Sequence, residues 1–116
     1  MADRILTQGE IEVELMRVTE ALEEQTEVFA EIAELAAIAE ADYKLRHARA
    51  VVGLANQSGK LSVAERSARA EMIAAEELRA WKLAEARIKS TKEALLSLRA
   101  RLDALRSLSA NVRAQT

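Results

Sequence analysis

From Ile11 the apolar positions run Ile11, Leu15, Val18 and Leu22, then polar Gln25, then Phe29, Ile32, Ala36, Ala39 and Tyr43, in steps alternating between four and three. That spacing is the heptad-like seam of a helix packed lengthwise against another. Farther on, the stripe is expected to drift to Ile38, Ala41, Leu45, Ala48, Val52 and Ala55, because a straight helix of 3.6 residues per turn slips against a 3.5 repeat. A second stripe runs through Trp81, Ala84, Ile88, Thr91, Leu95, Leu98, Leu102, Leu105 and Val112, with Ser109 as its polar interruption. Leu96 and Leu108 widen this second face beyond what one facing helix covers, as a bundle requires.

Start and stop signals frame both stripes. Thr7-Gln8-Gly9-Glu10 fits a capping box, with Leu6 and Ile11 placed for a hydrophobic staple, and Ser62-Val63-Ala64-Glu65 repeats the pattern behind Leu61. Between them Asn56-Gln57-Ser58-Gly59-Lys60-Leu61-Ser62 interrupts two stretches that contain no proline. The expected fold is all-α: a long antiparallel helical hairpin of coiled-coil type, with helix one over about 8–56, a turn over about 57–61 and helix two over about 62–113. Helix one should fray near Leu54 to Asn56, Gly53 should weaken its last turn, and Ala114-Gln115-Thr116 should be disordered.

The charge pattern agrees with this folding-back. The formal net charge is only −2. Residues 10–42 nevertheless hold eleven acidic side chains against Arg17 alone, and residues 79–116 hold nine basic ones against Glu85, Glu93 and Asp103. With the turn near Gly59, the numbers of facing residues should add to about 118 in an antiparallel helix pair. Trp81 then meets the small-residue patch Ala36, Ala37 and Ile38, and the acidic segment Glu20 to Glu34 meets Arg101 back to Lys89. Exposed ion pairs contribute only about 0–1 kcal/mol each, so their main effect is to disfavour parallel and shifted pairings.

Composition narrows the classes. A chain of 116 residues, half of them apolar yet with only three aromatics (Phe29, Tyr43 and Trp81), has the make-up of long helices with narrow seams. Two helices bury less than a globular core of that length, so help from a second copy is expected, as a homodimeric four-helix bundle. The surplus apolar face would be Leu95, Leu96, Leu98, Leu102, Leu105 and Leu108 on helix two, with Val18, Leu22, Val28 and Phe29 on helix one. The absence of cysteine excludes disulfides and thiolate metal sites and makes the cytoplasm the default compartment. The longest uncharged apolar run, Leu35 to Ala39, is far short of the ~20 residues of a membrane span. Met1-Ala2-Asp3-Arg4-Ile5-Leu6 lacks the basic region and apolar block of a signal peptide. An intracellular soluble protein without membrane contact is therefore expected.

Candidate chemistry is sparse. His47 is the only histidine, and the nearest upstream carboxylate, Asp42, is five residues away, a poor spacing for shared metal ligation. The glutamates Glu20, Glu23, Glu24, Glu27, Glu31 and Glu34 come without a Glu-x-x-His partner and read as a solvated or salt-bridged face. No glycine-rich phosphate loop and no serine or threonine near a histidine is present, so neither catalysis nor a cofactor or metal is expected. Lys89, Lys92, Arg99, Arg101, Arg106 and Arg113 could contact phosphates. The second half has no aromatic after Trp81 for base stacking, and an acidic first helix would neutralise the basic stripe. Tyr43 and Trp81 could form a protein-binding patch, but Trp81 reads better as the bulky member of an alanine-rich seam.

The strings Ala41-Asp42-Tyr43-Lys44-Leu45, Ser62-Val63-Ala64-Glu65-Arg66 and Leu102-Asp103-Ala104-Leu105-Arg106-Ser107-Leu108-Ser109-Ala110-Asn111-Val112-Arg113 resemble small helical proteins of tailed bacteriophages, commonly of actinobacterial hosts. The resemblance implies an accessory phage protein in the host cytoplasm, expressed with replication or recombination genes, and carries over no functional residue. Small secreted hairpins with a Trp-x-Gly turn are a poor match, since Trp81 lies inside helix two. The expected function is a non-catalytic, self-associating coiled-coil adaptor for another protein; the alternative is an accessory factor for single-stranded nucleic acid. Its pairing core would be Ile11, Leu15, Val18, Leu22, Phe29, Ile32, Trp81, Ile88, Leu95, Leu98, Leu102 and Leu105.

Overall fold

A computed structural model describes residues 6–57, 59 and 61–115. The chain is all-α, a long helical hairpin of three helices: α1 (Gln8–Gln57), α2 (Val63–Ile73) and α3 (Ala75–Ala114). The expected turn residues Ser58 and Lys60, the residues Met1 to Ile5 and the terminal Thr116 lie outside the described residues.

Both helical starts use the side chains that the capping pattern requires. The Glu10 backbone N–H donates to the Thr7 hydroxyl at 3.2 Å. The Glu65 backbone N–H donates to the Ser62 hydroxyl at 3.1 Å, with Ser62 extended ahead of α2. Each cap satisfies one N–H that the first turn of a helix cannot pair internally. At the other end α3 continues helical through Ala114, and the Gln115 N–H bonds the Val112 carbonyl at 3.3 Å, so the expected disorder of Ala114 and Gln115 is not found.

Helix two is not continuous. Ala74, at φ −94° and ψ 15°, separates α2 from α3, although its N–H still bonds the Ala70 carbonyl and its carbonyl accepts from Leu78, both at 3.0 Å. No glycine or proline marks the spot. The buried and half-buried positions supply a reason: they run Arg66, Ala70, Ala74 and Leu78 in steps of four, then alternate between three and four from Trp81 onward. A run of fours needs a helix wound more loosely than 3.6 residues per turn, and one unwound residue makes the adjustment.

The structure divides into two units, Met1–Phe29 with Ser90–Thr116 and Ala30–Lys89. In the first, Ile11, Val18, Leu95 and Leu105 are buried with the polar Thr91 and Ser109, while Leu15, Leu22, Phe29, Leu98 and Leu102 are half-buried. Gln8 donates from Nε2 to the Ser109 hydroxyl at 3.1 Å, and Arg101 pairs with Glu14 at 3.0 Å. In the second unit Ile32, Ala36, Ala70 and Ala74 are buried, and Trp81 and Ile88 are half-buried. The wholly buried Ala70 and Ala74 present only methyl groups, and helices packed through small side chains approach at the short end of the usual 8–10 Å.

Two expectations about apolar surface need correction. Of the leucines from Leu95 to Leu108 only Leu96 and Leu108 remain exposed, and Val18, Leu22, Val28 and Phe29 are likewise buried or half-buried. The hairpin's own seam absorbs most of that surplus, because the three-and-four spacing from Trp81 keeps turning the same strip inward. The stripe from Ile38 to Ala55, in turn, is not the drifted seam. The seam continues through Tyr43, His47, Ala50, Val51 and Leu54, and Ile38, Ala41, Leu45, Ala48, Val52 and Ala55 are all exposed.

Replacing Ser62 by Ala should destabilise the hairpin by about 1 kcal/mol, the usual loss for a helix cap. Chemical denaturation of S62A against wild type measures it, with Ser67→Ala, an exposed mid-helix change, as the control of little effect.

Candidate functional site

Three features of the surface could support function, and each follows from where the helical period places its residues. The first is a polar and aromatic cluster in the second unit. Tyr43 and His47, one turn apart on α1, sit 5.7 Å apart between ring centroids. The Tyr43 ring stacks on Trp81 of α3 at 5.5 Å and 27°. Its hydroxyl donates to Glu71 Oε1 on α2 at 2.8 Å, and His47 Nε2 lies 3.4 Å from the same oxygen. Lys82 places its ammonium 4.3 Å from the centroid of the Trp81 ring, a cation–π contact, and Arg46 approaches Glu77 at 3.9 Å.

Trp81 keeps part of its expected seat, beside Ala36 and Ala37 but not Ile38. It is half-buried, with Ala33, Ala36 and Ala37 lining the shallow cleft beside it, but its stacking partner is Tyr43, and Ile38 is 51% exposed. Ile38 follows Ala36 by two residues, about 200° around the helix, so the two cannot face the same indole. The carboxylate of Glu71 acts on the phenol: the hydrogen bond it accepts, then partial desolvation and its negative charge, push the Tyr43 pKa above its ordinary value of 10.0. Among the described residues no three His, Asp or Glu side chains are grouped to hold a metal ion. The cluster ties three helices together.

The second feature is the basic half of α3. Lys92, Arg99, Arg106 and Arg113 recur every seven residues and so share one flank of the helix. Arg101 lies about 200° around the helix from Arg99 and is held by Glu14 at 3.0 Å, which in turn pairs with Arg17. Arg99 borders an open groove with Thr19, Leu22, Glu23, Thr26 and Glu27. Of the six candidate phosphate contacts, Arg101 therefore has a carboxylate partner and Arg99 stands beside two glutamates.

The third feature is apolar and faces outward. Ile38, Leu45 and Val52 are 51%, 51% and 60% exposed, and Ala41, Ala48 and Ala55 are exposed between them, giving α1 a second heptad stripe on the side opposite its seam residues Ala36, Tyr43 and Ala50. On a neighbouring flank Leu35 and Leu83, also more than half exposed, border an open groove with Ala39, Ala80, Ala84 and Arg87. Periodicity picks out these stripe residues as apolar but not as outward-facing; the signal that separates the two stripes is the unbroken spacing from Ala36 through Tyr43 to Ala50. Among the described residues no helix is long and apolar enough to cross a membrane. No protein-family model, curated protein or solved structure matches the chain.

Three outcomes follow from the aromatic cluster. Tyr43 is the only tyrosine, so absorbance titration reads it alone; its midpoint should lie above 10.0 and return toward that value in E71Q. Because the folded pKa is raised, the contribution of this bond to stability is fully present below pH 10 and disappears as pH rises through the folded value. Melting of wild type should therefore fall faster above pH 10 than melting of Y43F. Trp81→Ala should cost about 2 kcal/mol, less than the ~3–5 kcal/mol of a fully buried indole.

Proposed function

We propose that this chain is a non-catalytic interaction module that self-associates and acts as a coiled-coil adaptor for another protein. One observation carries the reading: large apolar side chains, Leu35, Ile38, Leu45, Val52 and Leu83, stand in solvent on the outside of a helix pair whose own seam is already filled. A contiguous exposed apolar strip marks an interaction surface more often than a chance feature of a helix. The grooves point the same way, since each is an open trough between or along helices, lined by aliphatic and ionic groups without a convergent set of catalytic side chains. The resemblance to small phage helical proteins fits an accessory role in the host cytoplasm.

The competing reading, an accessory factor for single-stranded nucleic acid, would rest on the row Lys92, Arg99, Arg106 and Arg113. Phosphate-driven binding must weaken steeply as salt rises, because each neutralised phosphate releases a counterion. The adaptor reading expects sedimentation to report a mass near twice the 12.8 kDa chain at tens of micromolar, and no salt-dependent shift with a fluorescent oligonucleotide. A monomer that binds the oligonucleotide and loses it between low and moderate salt would overturn it in favour of the alternative.

A further inference from the structure

The outward stripe on α1 specifies its own partner. Along Ile38, Ala41, Leu45, Ala48, Val52 and Ala55 a large aliphatic residue alternates with alanine in steps of three and four, the arrangement of the two inward positions of a coiled coil. All six are exposed. Asp42 and Arg49 directly follow Ala41 and Ala48 and flank the stripe on one side; Lys44 and Val51 flank it on the other. Asp42 and Arg49 are both exposed, and neither takes part in an ion pair among the described residues.

The two ways of laying this helix on a copy of itself differ in every layer. In parallel, each large residue meets its own copy and each alanine meets alanine, so thick and thin layers alternate, and the flanking positions bring Lys44 toward Arg49 of the second copy. Antiparallel pairing about a two-fold axis between Leu45 and Ala48 gives a uniform stack. Ile38 then meets Ala55 of the second copy, Val52 meets Ala41, and Leu45 meets Ala48, one large and one small side chain in each of six layers. The same register sets Asp42 against Arg49 of the second copy, twice by symmetry. A two-fold interface is self-complementary by necessity, and this surface meets that condition in both shape and charge.

We infer that the stripe Ile38–Ala55 is a self-pairing surface, along which α1 docks antiparallel on α1 of a second copy with Asp42 and Arg49 exchanged between the two. The inference rests on the self-association reading and supplies its surface, orientation and register. It leaves the seam residues Ala36, Tyr43 and Ala50 on the opposite side of α1, so pairing does not require the hairpin to open.

Sedimentation equilibrium on the full chain tests it, with circular dichroism confirming that each variant remains helical. Leu45→Glu puts a carboxylate into the central layers and should weaken association at least about tenfold. Asp42→Arg replaces two attractions by two repulsions and should weaken it about tenfold, whereas D42R/R49D should restore wild-type association to within about threefold. A monomeric wild type at hundreds of micromolar would overturn self-association and this inference with it. A dimeric wild type whose L45E variant associates equally well would overturn the surface and leave self-association standing. Weak association of D42R/R49D, no better than D42R alone, would overturn the antiparallel register.

Discussion

Two helices can bury only the strip along which they touch, and that limit governs this molecule. Among the described residues Ile11 is the one large apolar side chain that is wholly buried, and several seam positions are filled by alanine, threonine or serine. A narrow seam gains little from hydrophobic burial per residue, so polar groups within it must be satisfied and placed with care. Ser109 accepts from Gln8 at one such position. Such a layer costs little where a partner is in reach, and it penalises a register shift that would leave a hydroxyl facing aliphatic carbon.

Charge works alongside the seam. An acidic first half and a basic second half would repel in a parallel arrangement of like halves and attract when antiparallel, yet the pairs formed across helices join half-buried carboxylates to exposed guanidinium groups. Glu14 with Arg101 and Arg46 with Glu77 each contribute on the order of 0–1 kcal/mol. Their value lies in choosing among alignments that an alanine-rich seam would otherwise tolerate. The Tyr43, Glu71 and Trp81 contacts do the same with better geometry, since stacking and a hydrogen bond must both be met by one side chain.

The helical class, the hairpin and both cap side chains were legible because each depends on local rules: spacing, a hydroxyl three residues ahead of a glutamate, a glycine between two periodic runs. The break at Ala74 was not legible, since alanine favours helix and only the phase of the seam on both sides reveals the misfit. The stripe from Ile38 to Ala55 is legible as a set of residues, but the side it faces is not. Two heptad patterns coexist on that segment, and periodicity alone does not say which of them faces the chain's own second helix. Trp81 shows the limit of the residue-number sum: it brings the indole beside Ala36 and Ala37, but the stacking partner Tyr43 lies six residues farther along α1 than the sum places it, within reach only because both side chains are long. Leu95, Leu98, Leu102 and Leu105 look like a surplus by number alone, though their spacing keeps them on one strip.

The sequence separation of the contacts shapes how such a chain folds. The bond between Tyr43 and Glu71 closes a loop of 28 residues, while that between Gln8 and Ser109 closes one of 101. Formed first from a flexible chain, the longer closure would cost about 1 kcal/mol more in entropy, by the logarithmic dependence on loop length. Once the contacts beside the turn exist, every later pair along the seam closes only a short additional segment. Closure entropy therefore favours pairing that spreads from the turn toward the termini, with the bond between Gln8 and Ser109 the most costly to close on its own.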